Sequence, residues 1–329
     1  MASLPDTFDE LVTTTLRNRR GKIVSNVENG NVLLAWLKRN GNVDPATGGR
    51  ELVEEIAHAE NQTFKWYEGY EVLDITPQSV LGFARYPWKQ GALSISASGG
   101  ELAINSGKEA LIRLAKERTT NGEESMMNNL GIGVYSNGSA NGGKQMGGLQ
   151  LLVADAPTSG VVGGIDRAEQ AFWQNQFKDA ATVFSSLTSA SVLALMQEVF
   201  LEIVAAPGPQ GGGAAPNLIV AGVNAFTTYW NALVPNQRFT DPNTAISGFR
   251  SLEFAGPQGV APVFFDPQCN TNRMYMLSTK YLKYRPHNQR NVSWSNARQS
   301  QNQDSSVTLL FWMGNLTASN MGRHGVIFD

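Results

Sequence analysis

The chain has 329 residues, enough for one large domain or two of ordinary size, and its 42% apolar content rules out global disorder. Charged residues make up only 16%, against roughly 25% in a typical soluble domain, so Asn, Gln, Ser, Thr and Gly carry a surface that resists self-association poorly. The net charge of −2 gives no basic excess of the kind that marks a nucleic-acid binder, and the single cysteine, Cys269, excludes an internal disulfide.

The N-terminal MASLPDTFDEL lacks a basic segment followed by an apolar core, so no signal peptide is expected. No apolar run approaches the roughly 18 residues that span a bilayer, and the expectation is synthesis in a cytoplasm. Residues 7–20 read as a short helix, with Asp6 or Thr7 as cap, Asp9 and Glu10 in the first turn and Arg17, Arg19 and Arg20 at the end. Phe8, Leu11, Val12 and Leu16 form its thin apolar stripe. A second short helix over 31–39 carries Leu33, Leu34, Trp36 and Leu37 and stops at Asn40-Gly41. Neither can enclose a core alone, so both belong on another surface.

Residues 48–78, GGRELVEEIAHAENQTFKWYEGYEVLDITPQ, have strand chemistry without a compact core. Leu52, Glu54, Ile56 and His58 fall on one face of an extended segment, and Val53, Glu55, Ala57 and Ala59 on the other. Phe64, Trp66, Tyr67 and Tyr70 follow in a β-prone aromatic run. Such a segment, mixed in polarity on both faces, suits an arm laid across a neighbouring molecule; the plainer reading is a surface hairpin.

Residues 89–97 alternate as a strand ended by Gly99-Gly100. The longest helical signal covers 105–130, with Ser106 and Glu109 as a capping box and Leu111, Leu114, Ala115, Met126, Met127 and Leu130 as its apolar stripe. Thr119 to Gly122 weaken its middle. After a Gly-rich loop over 137–148, helices are expected at 168–176, 189–204 and 223–233. Strands are expected at 218–220, 251–254, 262–265, 274–284 and 307–313, with a flexible tract at 207–216 and a loop through Asn315 and Asn320 near the end.

Catalytic signatures are missing. Lys108 follows Gly107, but Leu102 and Glu109 stand where a phosphate-binding loop needs Gly and Ser or Thr. GIGVYS at 131–136 has Ser136 in place of the third glycine of a dinucleotide fingerprint. Three scattered histidines form no metal motif, no GxSxG elbow accompanies Ser293 or Ser295, and Cys269 reads as a passive thiol. No catalytic residue, metal or cofactor is therefore assigned. The basic groups Arg17 to Lys22 and Lys280, Lys283, Arg285 and Arg290 read as solvated faces or contacts with acidic neighbours rather than phosphate binders.

Taken in order, GGRELVEEIAHAENQTFKWYEGYEVLDITPQ, SGKEALIRLAKERTTNGEESMMNNLGIGVYS, GGKQMGGLQLLVAD, RMYMLSTKYLKYRPHNQRN and VTLLFWMGNLTASNMGRHGVIF resemble the major capsid proteins of tailed bacteriophages and prophages. Each block alone is weakly specific; the ordered set spans nearly the whole chain.

The resemblance implies the Hong Kong phage-type capsid fold, an α+β shell subunit. Residues 1–47 would be an N-terminal arm, 48–88 an extended loop over a neighbour, 89–149 and 281–329 a peripheral domain with a spine helix over 105–130, and 150–280 an axial domain. It implies self-assembly through pentamers and hexamers into an icosahedral shell around double-stranded DNA, in a virion assembled in the bacterial cytoplasm. Partners would be the chain itself, portal and decoration proteins and, because the chain begins at the arm, a separate scaffold protein, with DNA touched weakly and no membrane involved. Phe64, Lys65, Trp66, Tyr67, Tyr70, Phe8, Leu11 and Trp36 would be the inter-subunit contacts. Some shells of this fold join subunits through a Lys–Asn bond, but no motif here identifies a partner for Lys65. An encapsulin-like shell around a cargo enzyme, or a monomeric enzyme or carbohydrate-binding protein, are the alternatives.

Overall fold

The computed structural model describes residues 31–104, 108–184, 186–206, 215–233, 251–296, 298–299 and 303–329. The helix expected over 7–20, with Phe8, Leu11 and the Arg17 to Lys22 cluster, lies outside them, as do Ser106 of the capping box and most of the glycine tract at 207–216.

Helix α1 (Val32–Arg39) starts at Asn31, whose side chain accepts the Leu34 N–H at 3.2 Å. The carboxylate of Asp266 accepts the Val32 N–H at 3.2 Å and the Tyr135 hydroxyl at 2.7 Å, satisfying a second free helix-end donor. Val32, Leu33, Leu34, Ala35 and Leu37 are all buried. The chain then runs beside strand β11 (Leu282–Pro286), with Asp44 and Ala46 N–H groups bonded to the Tyr284 and Pro286 carbonyls. Val32, Leu33, Leu34, Leu37 and Ala46 thus belong to their own subunit's core, where the sequence suggests an appendage: an eight-residue helix buries enough only when a larger body supplies the other side.

Strands β1 (Glu51–Ala57) and β2 (Leu81–Pro87) form an antiparallel ribbon from Glu51↔Pro87 to Ala57↔Leu81. The inward face of β1 carries Leu52, Glu54 and Ile56, all buried. The expectation that a segment mixed in polarity on both faces suits only a surface fails on this face, because Glu54 has partners from strands remote in sequence.

Strand β3 (Lys89–Ser98) runs into a short helix, α2 (Gly99–Ile104), so Gly99-Gly100 opens a helical turn. Helix α3 (Lys108–Val134) extends about 40 Å at 1.5 Å per residue. Its buried positions Ala115, Thr119, Met126, Leu130 and Val134 share one face. Gly122, which read as a weak point, is where the helix crosses β3: a Cβ there would stand 2.8 Å from the Ile95 Cδ1. The helix also continues four residues beyond the expected end, through Gly131 and Gly133; two single turns, α4 (Ala140–Gly143) and α5 (Leu149–Leu152), and the two-stranded pair β4 (Val161–Val162) and β5 (Ile165–Asp166) follow.

A five-stranded sheet is organised by β14 (Ser305–Ala318). Along one edge it pairs with β3 from Ser305↔Ser98 to Gly314↔Lys89. Along the other it pairs in turn with β13 (Arg298–Gln299), β12 (Ser293–Trp294) and β11. It outruns the expected 307–313 because Asn315 is no turn residue here. The Asn315 Oδ1 accepts the Gly147 N–H at 3.1 Å, and its Nδ2 donates to the Pro87 carbonyl at 2.9 Å.

The second sheet has six strands in the order β6 (Gln176–Asp179), β15 (His324–Phe328), β10 (Arg273–Leu277), β7 (Leu218–Ala221), β9 (Gly259–Phe265) and β8 (Ser251–Gly256). Pairs β15–β6 and β7–β9 are parallel and the others antiparallel. Both faces are covered. Leu218, Val220, Phe264, Tyr275, Leu277 and Val326 join the larger core, and Ile219, Ala221, Val263, Met274, Met276 and Ile327 a second core. Among the described residues, two helices of more than ten residues line that second core, with Ala180 of a short helix (Ala180–Phe184) beside them. Of these, α6 (Val192–Ala205) buries Val192, Leu195, Met196, Val199, Phe200 and Ile203 at helical spacing, and α7 (Val223–Leu233) matches its expected bounds.

Four expectations are corrected in this region. Residues 168–176 form only a 3₁₀ turn (Ala171–Trp173) before β6, because the Trp173 indole N–H bonds to the Val162 carbonyl at 2.8 Å and the chain is held extended. The strand expected over 274–284 is two strands, separated by a 3₁₀ turn (Thr279–Tyr281) as the chain passes from the six-stranded sheet to the five-stranded one. Strand β15 is absent from the expected elements. It lies between β6 and β10, so the last residues belong to the six-stranded sheet rather than to that of β14, with which the resemblance groups residues 281–329. Gly325 permits this, since a Cβ there would stand 2.5 Å from the Val199 Cγ1 and 2.8 Å from the Ile203 Cδ1.

Candidate assembly surface

The ribbon β1–β2 is the root of an excursion over residues 58–80. Its tip lacks a core. Phe64 is 73% exposed, Trp66 88%, Tyr70 107%, Val72 87% and Ile75 91%, with Tyr67 and Leu73 also exposed. Single exposed apolar residues are ordinary; seven within twelve consecutive positions form an unusually dense exposed apolar run.

Local contacts shape the tip. The Asn61 Oδ1 accepts the Thr63 N–H at 2.9 Å and its hydroxyl at 2.7 Å. The Asp74 Oδ1 accepts the Thr76 N–H at 2.9 Å and its hydroxyl at 2.6 Å, and these bonds hold the Asp74 carboxyl below the usual carboxylate range. Lys65 and Glu71 pair at 2.9 Å, and the Phe64 and Trp66 rings meet edge to face with centroids 5.4 Å apart.

The root is bound to the body by a different set. Glu54, nearly fully buried, receives Arg285 at 3.0 Å, Lys283 at 3.3 Å and the Thr317 hydroxyl at 2.9 Å. Arg285 also donates to the Val53 carbonyl at 3.0 Å and pairs with Asp44 at 3.1 Å. One guanidinium thus joins the segment after α1, β1 and β11. On β2, the Tyr86 hydroxyl donates to the Ala318 carbonyl at 2.8 Å, and burial pushes its phenol up.

Of the residues singled out from sequence, Phe64, Lys65, Trp66, Tyr67 and Tyr70 share this tip. Trp36 does not: half-buried, it packs on Phe264 with ring centroids 5.7 Å apart, inside its own subunit. Phe8 and Leu11 lie outside the described residues. The sequence reading missed Val72, Leu73 and Ile75, although EVLDITPQ shows apolar residues with no helical or strand partner nearby, and it missed the Glu54 junction. The cluster Lys280, Lys283, Arg285 and Arg290 is accounted for within the chain. Lys283 and Arg285 hold Glu54, Lys280 stands 5.4 Å from the Tyr281 ring and Arg290 5.1 Å from the Phe311 ring.

No group of three or more His, Cys, Asp or Glu side chains among the described residues could hold a metal ion. Burial pushes the Cys269 thiol up, away from the thiolate that nucleophilic chemistry requires. Among the described residues no helix is long and apolar enough to cross a membrane.

No protein-family model matches the chain, and no curated protein matches it by sequence. Solved structures do. Over 90% of its length the chain superposes on 92% of a chain of the cyanophage A-1(L) capsid asymmetric unit, with a TM-score of 0.63 and 15% identity. The capsid of Myoviridae phage XM1 gives a TM-score of 0.53 at 10% identity, covering 89% of this chain and 91% of that one. The SrpI encapsulin of Synechococcus elongatus gives 0.52 at 10% identity, covering 89% and 86%. The chain therefore has the α+β fold common to these phage capsid and encapsulin subunits, as the resemblance implied.

Proposed function

We propose that this chain is a structural shell subunit, the major capsid protein of a tailed phage or prophage, and not an enzyme. It assembles through pentamers and hexamers into an icosahedral shell around double-stranded DNA. The observation that carries this reading is the tip at 64–75: large apolar side chains displayed in water, on a ribbon anchored to the body at its root. A second copy of the same chain is the occupant that covers every tip at once. Identical subunits in rings then meet head to tail, and closure of the rings limits growth.

The likeness to phage capsid structures, with the highest of the three TM-scores, favours a DNA-filled virion head. DNA contact is weak and non-specific, consistent with a net charge of −2. Scaffold, portal and decoration proteins are the expected companions, with assembly in the bacterial cytoplasm. The decisive experiment expresses the chain, with a scaffold protein where needed, and examines the product by sedimentation and electron microscopy. Rings or closed shells are expected; a monomer under every assembly condition tried would sink the reading.

The encapsulin likeness supports a second reading, a shell of the same construction enclosing an enzyme. Particles from the native source that contain a co-purifying enzyme and no nucleic acid would favour it.

A further inference from the structure

Five Asn-Gly pairs occur in the chain, at Asn29, Asn40, Asn121, Asn137 and Asn141. An Asn followed by Gly is chemically vulnerable, because the next main-chain nitrogen can attack the side-chain carboxamide and glycine has no Cβ to obstruct it. The attack needs a free N–H and a mobile, exposed carboxamide. Four of the pairs lie within the described residues, and their surroundings separate them sharply.

In three the reacting groups are engaged. The Gly41 N–H bonds to the Lys38 carbonyl at 3.2 Å. Gly122 lies within α3, where its N–H belongs to the helical hydrogen-bond ladder. The Gly138 N–H bonds to the Ser136 hydroxyl at 3.3 Å, and the Asn137 carboxamide oxygen is held by the Ser139 N–H at 3.0 Å and hydroxyl at 2.7 Å.

Asn141 differs in every respect. It stands at φ 53°, Gly142 at φ 67° and Gly143 at φ 79°, three successive left-handed residues in an exposed turn. Among the described residues no acceptor takes the Gly142 N–H, and none bonds the Asn141 carboxamide. A Cβ built on Gly142 or Gly143 would meet nothing within 4 Å, so the turn stands open to water. The Lys89 ammonium group donates to the Gly143 carbonyl, so a cation is anchored to this turn.

We propose that Asn141 is a self-modification site, at which the Gly142 main-chain nitrogen displaces ammonia from the Asn141 carboxamide and water then opens the ring to aspartate and isoaspartate. A bond forms between the Gly142 nitrogen and the Asn141 Cγ. The Cγ–Nδ2 bond breaks, and ammonia departs with the proton from the Gly142 amide. Water adds to one of the two carbonyls of the cyclic imide. Opening at Cγ gives aspartate; opening at the main-chain carbonyl gives isoaspartate, with the chain rerouted through the side chain. The net change consumes one water, releases ammonia and puts a carboxylate in a neutral turn next to Lys89 and Lys144.

The test incubates the purified full-length protein in mildly alkaline buffer, folded and in strong denaturant. Isoaspartate is quantified by enzymatic carboxyl methylation and located by fragment-ion mass spectrometry. In the folded protein Asn141 should convert about tenfold faster than Asn40 or Asn137, since each of those must first release a hydrogen bond. In denaturant the three rates should converge. Asn141→Gln should remove most of the isoaspartate that the folded protein forms among the four described pairs, and Asn137→Gln should leave it unchanged. Equal rates in the folded protein, an Asn141 excess that persists in denaturant, or an unchanged signal in Asn141→Gln would each overturn the proposal.

Discussion

Arg285 and Glu54 meet at 3.0 Å, 231 positions apart in sequence, and through them β1, at the root of the excursion, is fixed to β11. The carboxylate is almost wholly removed from water, so it depends on partners that arrive only when the fold is complete. Arg285→Met leaves Glu54 with Lys283 and Thr317 alone. We expect a loss of about 3 kcal/mol in urea unfolding, the usual consequence of removing one member of a buried pair. A double-mutant cycle with Glu54→Gln should show coupling of at least about 1 kcal/mol. Additive effects would mean that the two side chains do not act as a pair.

The tip should behave oppositely, dispensable for folding and needed for assembly. Phe64→Ser with Trp66→Ser should leave circular dichroism and the unfolding midpoint unchanged. Each aromatic buried against a neighbour contributes about 1.5–3 kcal/mol, so the concentration at which particles appear should rise by at least about tenfold. Unfolding of the double variant as a monomer would place the two rings inside their own subunit. Assembly at the wild-type concentration would remove the tip from the interface.

Gly325 offers a test of the packing between β15 and α6. Gly325→Ala forces a methyl group to within 2.5 Å of the Val199 Cγ1. Overpacking a well-filled core costs about 1–3 kcal/mol, and the thermal midpoint should fall accordingly. An unchanged midpoint would show that α6 can move away from the sheet without cost.

His324 gives the fold a definite response to acid. The ring is completely buried, neither nitrogen has a hydrogen-bond partner among the described residues, and burial lowers its pKa from 6.5 to about 4. The neutral ring is favoured in the folded state, so this contribution to stability is fully present above the unfolded value of 6.5 and is lost as the pH falls through about 4. The limiting loss is on the order of 3 kcal/mol. His324→Leu should be at least as stable near neutrality and should lose less stability than wild type between about pH 6.5 and about pH 4. Parallel pH profiles for the two proteins would assign acid sensitivity to other groups.

The elements legible in the sequence were those whose signal is local. The face of α3 bearing Ala115, Met126 and Leu130, the bounds of α7 and the strand at β3 follow from periodicity within one segment. What escaped notice depends on distant partners. Asn315 looks like a turn residue until Gly147 and Pro87 are brought to it. Gly325 weakens the signal of β15 because glycine is needed where Val199 crosses. The exposed run at 64–70 was readable as aromatic chain without a partner, whereas Glu54 read as an ordinary strand carboxylate, because Lys283, Arg285 and Thr317 lie more than two hundred positions away.

The extended loop obeys two separate sets of instructions. Its outline is drawn by contacts that never leave the excursion: Asn61 with Thr63, Asp74 with Thr76, Lys65 with Glu71. Its bearing on the body is set by Glu54, Arg285 and Tyr86. If a second copy covers the tip, as proposed, a tip shaped by local bonds on an anchored stem would meet it with part of its ordering entropy already lost, so more of each aromatic contact would survive as net adhesion. The division would also let the two properties drift independently. Substitutions at the tip would then alter what it contacts, and substitutions at the stem the angle at which it is offered.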